Sequence, residues 1–277
     1  SGSDVVLDWD APSGKSFSNN VPIQELPLAV TTELTNSVYN NLLNEYRQSG
    51  QEIKAEQLIN NAQAPAGYQP FKLDIKGATA YAFVAYDPSS VNPIGPAYFD
   101  TDFPGTITSL GPNGAGDFIA GGSWAEGVWY GEEYGTGALY TLDPSSGAMN
   151  LVGYGSAAGG FNAIAYDVTT LTMFGCDYNG ASCGLYSIDL TSGANTYIGD
   201  VGLGALVIGL ACDASGNLYA ADLFTDVLIS VDKATGAGTV IGPLGININY
   251  AQDLEYDNEN DVLYLAGYTS TGQLYTV

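Results

Sequence analysis

Glu132, Asp177 and Asp222 recur at intervals of 45 residues, each at the end of a short aromatic run: VWYGEE, MFGCDY and LYAADL. Acids held at one level of a repeating structure suit two kinds of chemistry. Together they can bind Ca²⁺, a hard cation that takes carboxylate oxygens. A facing pair, with one pKa raised, can instead hydrolyse a glycosidic bond. The candidates for hydrolysis are Asp117, Glu126, Glu132, Glu133, Asp177, Asp222, Asp253 and Glu255. Against both readings stands number: the chain carries 30 acidic residues, and solvated strand ends and loops account for acids of this kind without any ligand. No cofactor other than Ca²⁺ is suggested. The chain has no histidine, which excludes Ser-His-Asp and Cys-His nucleophilic systems and His-based metal sites as normally built. No Gly-rich phosphate loop leads from a strand into a helix.

Aromatic side chains offer a second kind of site. Among 20 Tyr and three Trp, those that do not recur from repeat to repeat are Trp124, Tyr134, Tyr178, Phe224 and Tyr268. Flat rings beside Asn and Asp would suit a glycan or a peptide in a central funnel. The recurring aromatics are read as packing between sheets. Cys176 and Cys183 flank a short loop between two strands, and a disulfide between them would suit an oxidising compartment. Cys212, in the apolar GLACD run, reads as a small buried hydrophobe.

The element that must position these residues is a repeat. Trp129, Phe174, Tyr219 and Tyr264 stand 45 residues apart, a period characteristic of propellers and related arrays. Each unit has an apolar run, a tight polar turn, the aromatic strand and a third strand (ALYTLD, GLYSID, VLISVD, QLYTV). A turn DPSSG, DLTSG or DKATG follows, then a last strand ending in Gly. The runs are short and rich in Val, Ile, Tyr and Phe, which favours strands over helices. Asp143, Asp189 and Asp232 read as turn residues that bond their own backbone. A degraded copy precedes these units, with YAFVAYD, AYFDTD and PGTITSLG as strands and FKLDI at 71–75 as a candidate first strand. The expected fold is all-β: a propeller of about five four-stranded blades over 71–277, with an N-terminal extended arm and a helical hairpin.

The hairpin is expected over 31–70, where Leu34, Val38, Leu42 and Tyr46 recur every four residues, and Gly50 and Pro65 mark helix ends. Residues 1–30 form the arm. Within it Asp4, Val5, Val6, Leu7, Asp8 and Trp9 alternate like a strand. The last unit stops at Val277 before the turn and fourth strand of its siblings, so an edge is left to be covered. The segment 4–10 would complete it. The alternatives are a longer parent chain, a lost sixth blade, or a strand from a neighbouring molecule, which would make a polymer. Net charge is −24, and five of the six basic residues lie at or before Lys76. Nucleic acid and anionic membrane surfaces are therefore not expected partners. No run is long and apolar enough to insert in a membrane.

The wording GLYSIDLTSGANTYIG and IGLACDASGNLYAAD resembles the propeller-type repeats of large secreted, multidomain bacterial and archaeal cell-surface proteins. The resemblance covers about residues 78–277. It implies an extracellular or cell-surface location and no known catalytic residues. The resulting expectation is a non-enzymatic propeller for adhesion, scaffolding or assembly into a filament, with cell-surface or matrix glycan or protein as partner, or a second copy. A glycan- or peptide-binding funnel and a carboxylate-dependent glycoside hydrolase are the alternatives.

Overall fold

The computed structural model describes residues 77–87, 91–155, 160–178, 180, 182–249, 253–269 and 271–277. The arm with its closing segment 4–10, the hairpin over 31–70 and the candidate strand 71–75 lie outside the described residues. The rest is all-β, a five-bladed propeller in which every blade is an antiparallel meander. The first blade holds β1 (Thr79–Val84), β2 (Gly95–Asp100) and β3 (Phe103–Ser109). The second holds β4 (Ile119–Ala125), β5 (Val128–Glu133), β6 (Ala138–Leu142) and β7 (Met149–Tyr154). The third holds β8 (Ala163–Asp167), β9 (Thr172–Tyr178), β10 (Cys183–Ile188) and β11 (Asn195–Asp200). In the fourth are β12 (Val207–Cys212), β13 (Leu218–Asp222), β14 (Val227–Val231) and β15 (Gly238–Pro243). The fifth has β16 (Asp253–Asp257), β17 (Val262–Tyr268) and β18 (Gly272–Thr276). Among the described residues, then, three blades carry four strands and the outer two carry three.

The turns follow from their residues. The Asp143 carboxylate accepts the backbone N–H groups of Ser145 at 2.8 Å and Ser146 at 3.0 Å. Asp189 and Asp232 repeat the pattern within DLTSG and DKATG. The Gly that ends each turn has φ of 68°, 73° and 80° at Gly147, Gly193 and Gly236, a region that residues with a Cβ seldom enter. These three Asp are turn residues, and their carboxylates are spent on their own loops.

The core lies between blades, where the inner strands meet. β8 rests against β4 on one side and β12 on the other, and β12 rests against β16. Ala163, Ala165, Phe174 and Cys176 of the third blade pack on Val207, Leu210 and Cys212 of the fourth. Ile164, Tyr166 and Met173, on the opposite face, pack on Ala125 and Leu139 of the second. Alternation along each strand thus divides its residues between the two neighbouring blades.

Strand pairing corrects the repeat alignment. Trp129 lies opposite Leu142, whereas Phe174, Tyr219 and Tyr264 lie opposite Ser187, Ser230 and Thr276. Leu142 corresponds to Ile188, each being the residue before its turn Asp. The partner of Ile188 is Met173, so Trp129 corresponds to Met173, and Tyr130, opposite Thr141, to Phe174. The loops differ in length from blade to blade, so a constant 45-residue interval does not preserve register. A one-residue slip moves a side chain to the other face.

The Gly that closes each blade has a packing reason. A Cβ on Gly153 would stand 1.9 Å from the Ser192 carbonyl oxygen, and one on Gly199 1.9 Å from that of Thr235. In each case the turn of the following blade presses on the end of the preceding outer strand. Gly242, the same position in the fourth blade, faces open space, with nothing within 4 Å of such a Cβ.

Candidate functional site

The register correction separates the three recurring acids. Glu132 lies opposite Leu139, as Cys176 lies opposite Leu185 and Ala221 opposite Leu228. Glu132 is therefore equivalent to Cys176 and Ala221, and the position shared with Asp177 and Asp222 belongs to Glu133. The ring of Glu132, Asp177 and Asp222 does not form, because Glu132 points to the opposite face of its blade. Among the described residues no group of three or more potential ligands gathers to hold a metal ion.

Glu133 and Asp222 do one job in two blades. Glu133 accepts the backbone N–H of Asp117 at 2.5 Å and the Thr136 hydroxyl. Asp222 accepts the N–H of Leu206 at 2.8 Å and of Phe224 at 3.1 Å, and the Thr225 hydroxyl at 2.5 Å. Each ties the loop entering its blade to the turn leaving its second strand. Asp177 accepts Gly184 N–H at 3.1 Å and the Tyr186 hydroxyl at 3.2 Å. Glu133 and Asp222 are thus occupied with holding loops, and Asp177 with tying β9 to β10. Glu126 sits exposed in a turn with φ of 49°, and exposed Asp117 bonds the backbone N–H of Phe118.

Glu132 is different. Only 2% exposed, it accepts Phe161 N–H at 3.1 Å through Oε1, while Oε2 has no partner among the described residues. Burial pushes its carboxyl up to about 8; the Phe161 N–H opposes that rise and the nearby Asp177 adds to it. It is neutral at pH 7 and enclosed between two blades, so a substrate cannot reach it.

The described residues form a cleft of about 480 Å³, bounded by β1, β4 and β16. Its walls include Tyr81, Trp124, Trp129, Tyr264 and Leu274, with Asp253 and Glu255 projecting from β16. Trp124 stacks on Trp129 at 6.3 Å and meets the edge of Tyr81 at 5.3 Å. Asp253 accepts Gly122 N–H from β4 at 3.4 Å, a direct link between the fifth and second blades. Removal from water raises the Asp253 carboxyl well above its ordinary value, with Glu255 adding repulsion. Glu255 is exposed at the cleft and accepts the Tyr256 N–H at 3.1 Å; desolvation by the surrounding protein outweighs that bond and raises its carboxyl.

The non-recurring aromatics do not converge. Trp124 lines the cleft. Tyr134 is half-exposed and stacked on Phe118 at 5.0 Å. Tyr178 and Phe224 meet edge-to-face at 5.8 Å, while Tyr268 is buried. Cys176 and Cys183 are free and buried. Cys183 lies opposite Tyr178, and Cys176 opposite Leu185, so the two thiols are diagonal neighbours, a spacing wider than a disulfide favours. Burial raises both thiols, Cys183 to about 12. Cys212 is also buried and free.

Sequence reasoning passed over Asp167 and Lys233. Asp167, 0% exposed, accepts Thr169 N–H at 2.8 Å, the Thr169 and Thr170 hydroxyls at 2.7 Å, and the Lys233 ammonium. The signal was present: Lys233 is the only basic residue after Lys76. This ion pair staples the third blade to the fourth.

No protein-family model matches the chain, and no curated protein matches it. Solved structures do resemble it in part. A protein of unknown function from Bacteroides thetaiotaomicron VPI-5482 aligns with TM-score 0.41 and 14% identity over 57% of this chain and 42% of that one. A chain of a nidogen/laminin complex aligns with TM-score 0.49 and 12% identity over 68% of each chain. A gluconolactonase from Xanthomonas campestris aligns with TM-score 0.43 and 13% identity over 62% of each. The chain thus spans less than half the length of the first of these structures.

Proposed function

We propose that this protein is a non-enzymatic propeller of the cell surface or extracellular space. In this reading it serves adhesion, scaffolding or assembly, and assembles by taking a strand from a second copy onto its last blade. The observation that carries the reading is the outer edge of β18. Its sister strands β6, β10 and β14 each carry a fourth strand, and β18 is paired only with β17 among the described residues. An unpaired edge is a template for a further strand. The donor we assign is the alternating segment Asp4–Trp9, DVVLDW. Composition suits a location outside the cell: net charge −24 and only six basic residues.

The carboxylates favour binding over hydrolysis. Glu133 and Asp222 hold loops and Asp177 bonds the paired strand β10, and Glu132 is sealed between blades. A labelled peptide of residues 4–10, titrated into chain that begins at residue 12, is expected to bind with a dissociation constant on the order of micromolar, as strand addition allows. A scrambled peptide is expected not to bind. Equal anisotropy changes for the two peptides would sink the reading.

A further inference from the structure

The cleft bounded by β1, β4 and β16 has two unlike walls. Toward the second blade, Tyr81, Trp124 and Trp129 form one aromatic cluster. The Tyr81 ring lies 5.3 Å from Trp124 and 5.4 Å from Trp129. Trp124 is stacked on Trp129 and still 39% exposed, so ring surface remains for a guest. Toward the fifth blade stand the carboxyls of Asp253 and Glu255, with Asp257 and Glu259 at and just beyond the end of β16. No Lys or Arg is among the described residues that line the cleft.

We propose that this cleft binds a small quaternary ammonium ion. Its charge is balanced by Asp253 and Glu255, and its methyl groups lie against Tyr81 and Trp124. The volume of about 480 Å³ falls within the roughly 300–1,000 Å³ of small-molecule sites. The faces of Trp and Tyr attract a cation through the ring quadrupole, most strongly where water is displaced.

Other guests fit these walls less well. Among the described residues no three ligands gather as a bare metal ion would need, whereas the cleft offers broad ring surface. A primary amine needs acceptors for its N–H groups. Both oxygens of Asp253 already accept backbone N–H groups, from Gly122 at 3.4 Å and Leu254 at 2.9 Å, and Glu255 accepts the Tyr256 N–H at 3.1 Å. With acceptor sites taken in this way, the carboxyls offer charge more than free lone pairs, which suits a nitrogen with no N–H to donate. A neutral guest would gain little from them. Removal from water raises both carboxyls, and a cation beside them favours their charged form where an uncharged molecule does not.

The test titrates the full, unmodified chain with choline and with the uncharged alcohol of the same shape, in which a tert-butyl group replaces the trimethylammonium group. Tryptophan fluorescence reads both titrations, because Trp124 and Trp129 are two of the three Trp in the chain. Choline is expected to saturate the signal with a dissociation constant on the order of millimolar or tighter, and the alcohol to bind at least about tenfold more weakly. Glu255→Gln, with the circular dichroism spectrum of the parent, is expected to weaken choline by about tenfold. A choline signal that has not begun to saturate by about 10 mM, or an alcohol that binds as tightly as choline, overturns the proposal without reference to any variant. Unchanged choline affinity in folded Glu255→Gln also overturns it. None of these results depends on whether β18 accepts a strand, so this inference and the proposed function fail separately.

Discussion

Asp167→Ala is expected to lower stability by about 3 kcal/mol, the low end of what breaking a buried ion pair costs. The side chain of Asp167 is fully covered although the site lies near the outside of the protein, and Lys233 is 25% exposed. Burial by itself would raise the Asp167 carboxyl. The Lys233 ammonium, the Thr170 and Thr169 hydroxyls and the Thr169 N–H outweigh it and hold the carboxyl far below its ordinary value. Alanine leaves all these donors without an acceptor. For a propeller of this size the loss corresponds to a fall in Tm of roughly 6–12 °C.

The pH dependence follows from the direction of the shift. A carboxyl depressed in the folded state contributes stability above its unfolded value, near 3.9, and loses it as pH falls toward the folded value. Lys233→Met keeps the apolar stem and removes the charge. It should shift the acid unfolding limb to higher pH, read by circular dichroism between about pH 5 and pH 2. An unchanged acid limb would mean that the pair contributes nothing across the blade junction.

Glu132→Gln is expected to act in the opposite direction and to stabilise. A glutamate raised from 4.5 to about 8 is neutral in the fold at pH 7 and ionised when unfolded. Its destabilising effect is absent below about pH 4.5, grows as pH rises, and levels off above about pH 8. The full effect is on the order of a few kcal/mol, at about 1.4 kcal/mol per pKa unit. Glutamine keeps an oxygen for Phe161 N–H and does not titrate. Thermal unfolding should show the variant several degrees more stable at pH 8 and within about one degree of the parent at pH 4. A variant less stable at pH 8 would show that Glu132 is ionised in the folded protein.

The two predictions mark the limits of reading this sequence. The third strands ALYTLD, GLYSID, VLISVD and QLYTV, expected to begin at Ala138, Gly184, Val227 and Gln273, begin at Ala138, Cys183, Val227 and Gly272, and the degraded first unit is a real blade, β1 to β3. Turn Asp and closing Gly were legible because their chemistry is local. Register was not. The 45-residue interval counts residues along the chain, whereas the face a side chain occupies is set by pairing across loops of unequal length. The interval therefore places Trp129 and Glu132 in the wrong rows, and the residue that shares a position with Asp177 and Asp222 is Glu133. The Asp167–Lys233 pair joins residues 66 apart in sequence, and no local pattern announces it. The cleft at β1 is a gap between blades, visible only when the neighbouring strands are in place.

The last blade carries the central claim, and its edge can be blocked selectively. Val277 N–H donates to the Leu263 carbonyl, toward β17. Alternation then points the N–H of Thr276 outward, away from the sheet. Proline there removes an outward donor and leaves the β17 ladder intact, the position an edge strand tolerates. Sedimentation of the full chain over a range of concentrations is the most direct measurement. Assembly through β18 predicts species at multiples of the 28.8 kDa chain that revert to that mass in Thr276→Pro. A parent protein that stays at 28.8 kDa at every concentration, or multiples that persist in Thr276→Pro, would contradict it.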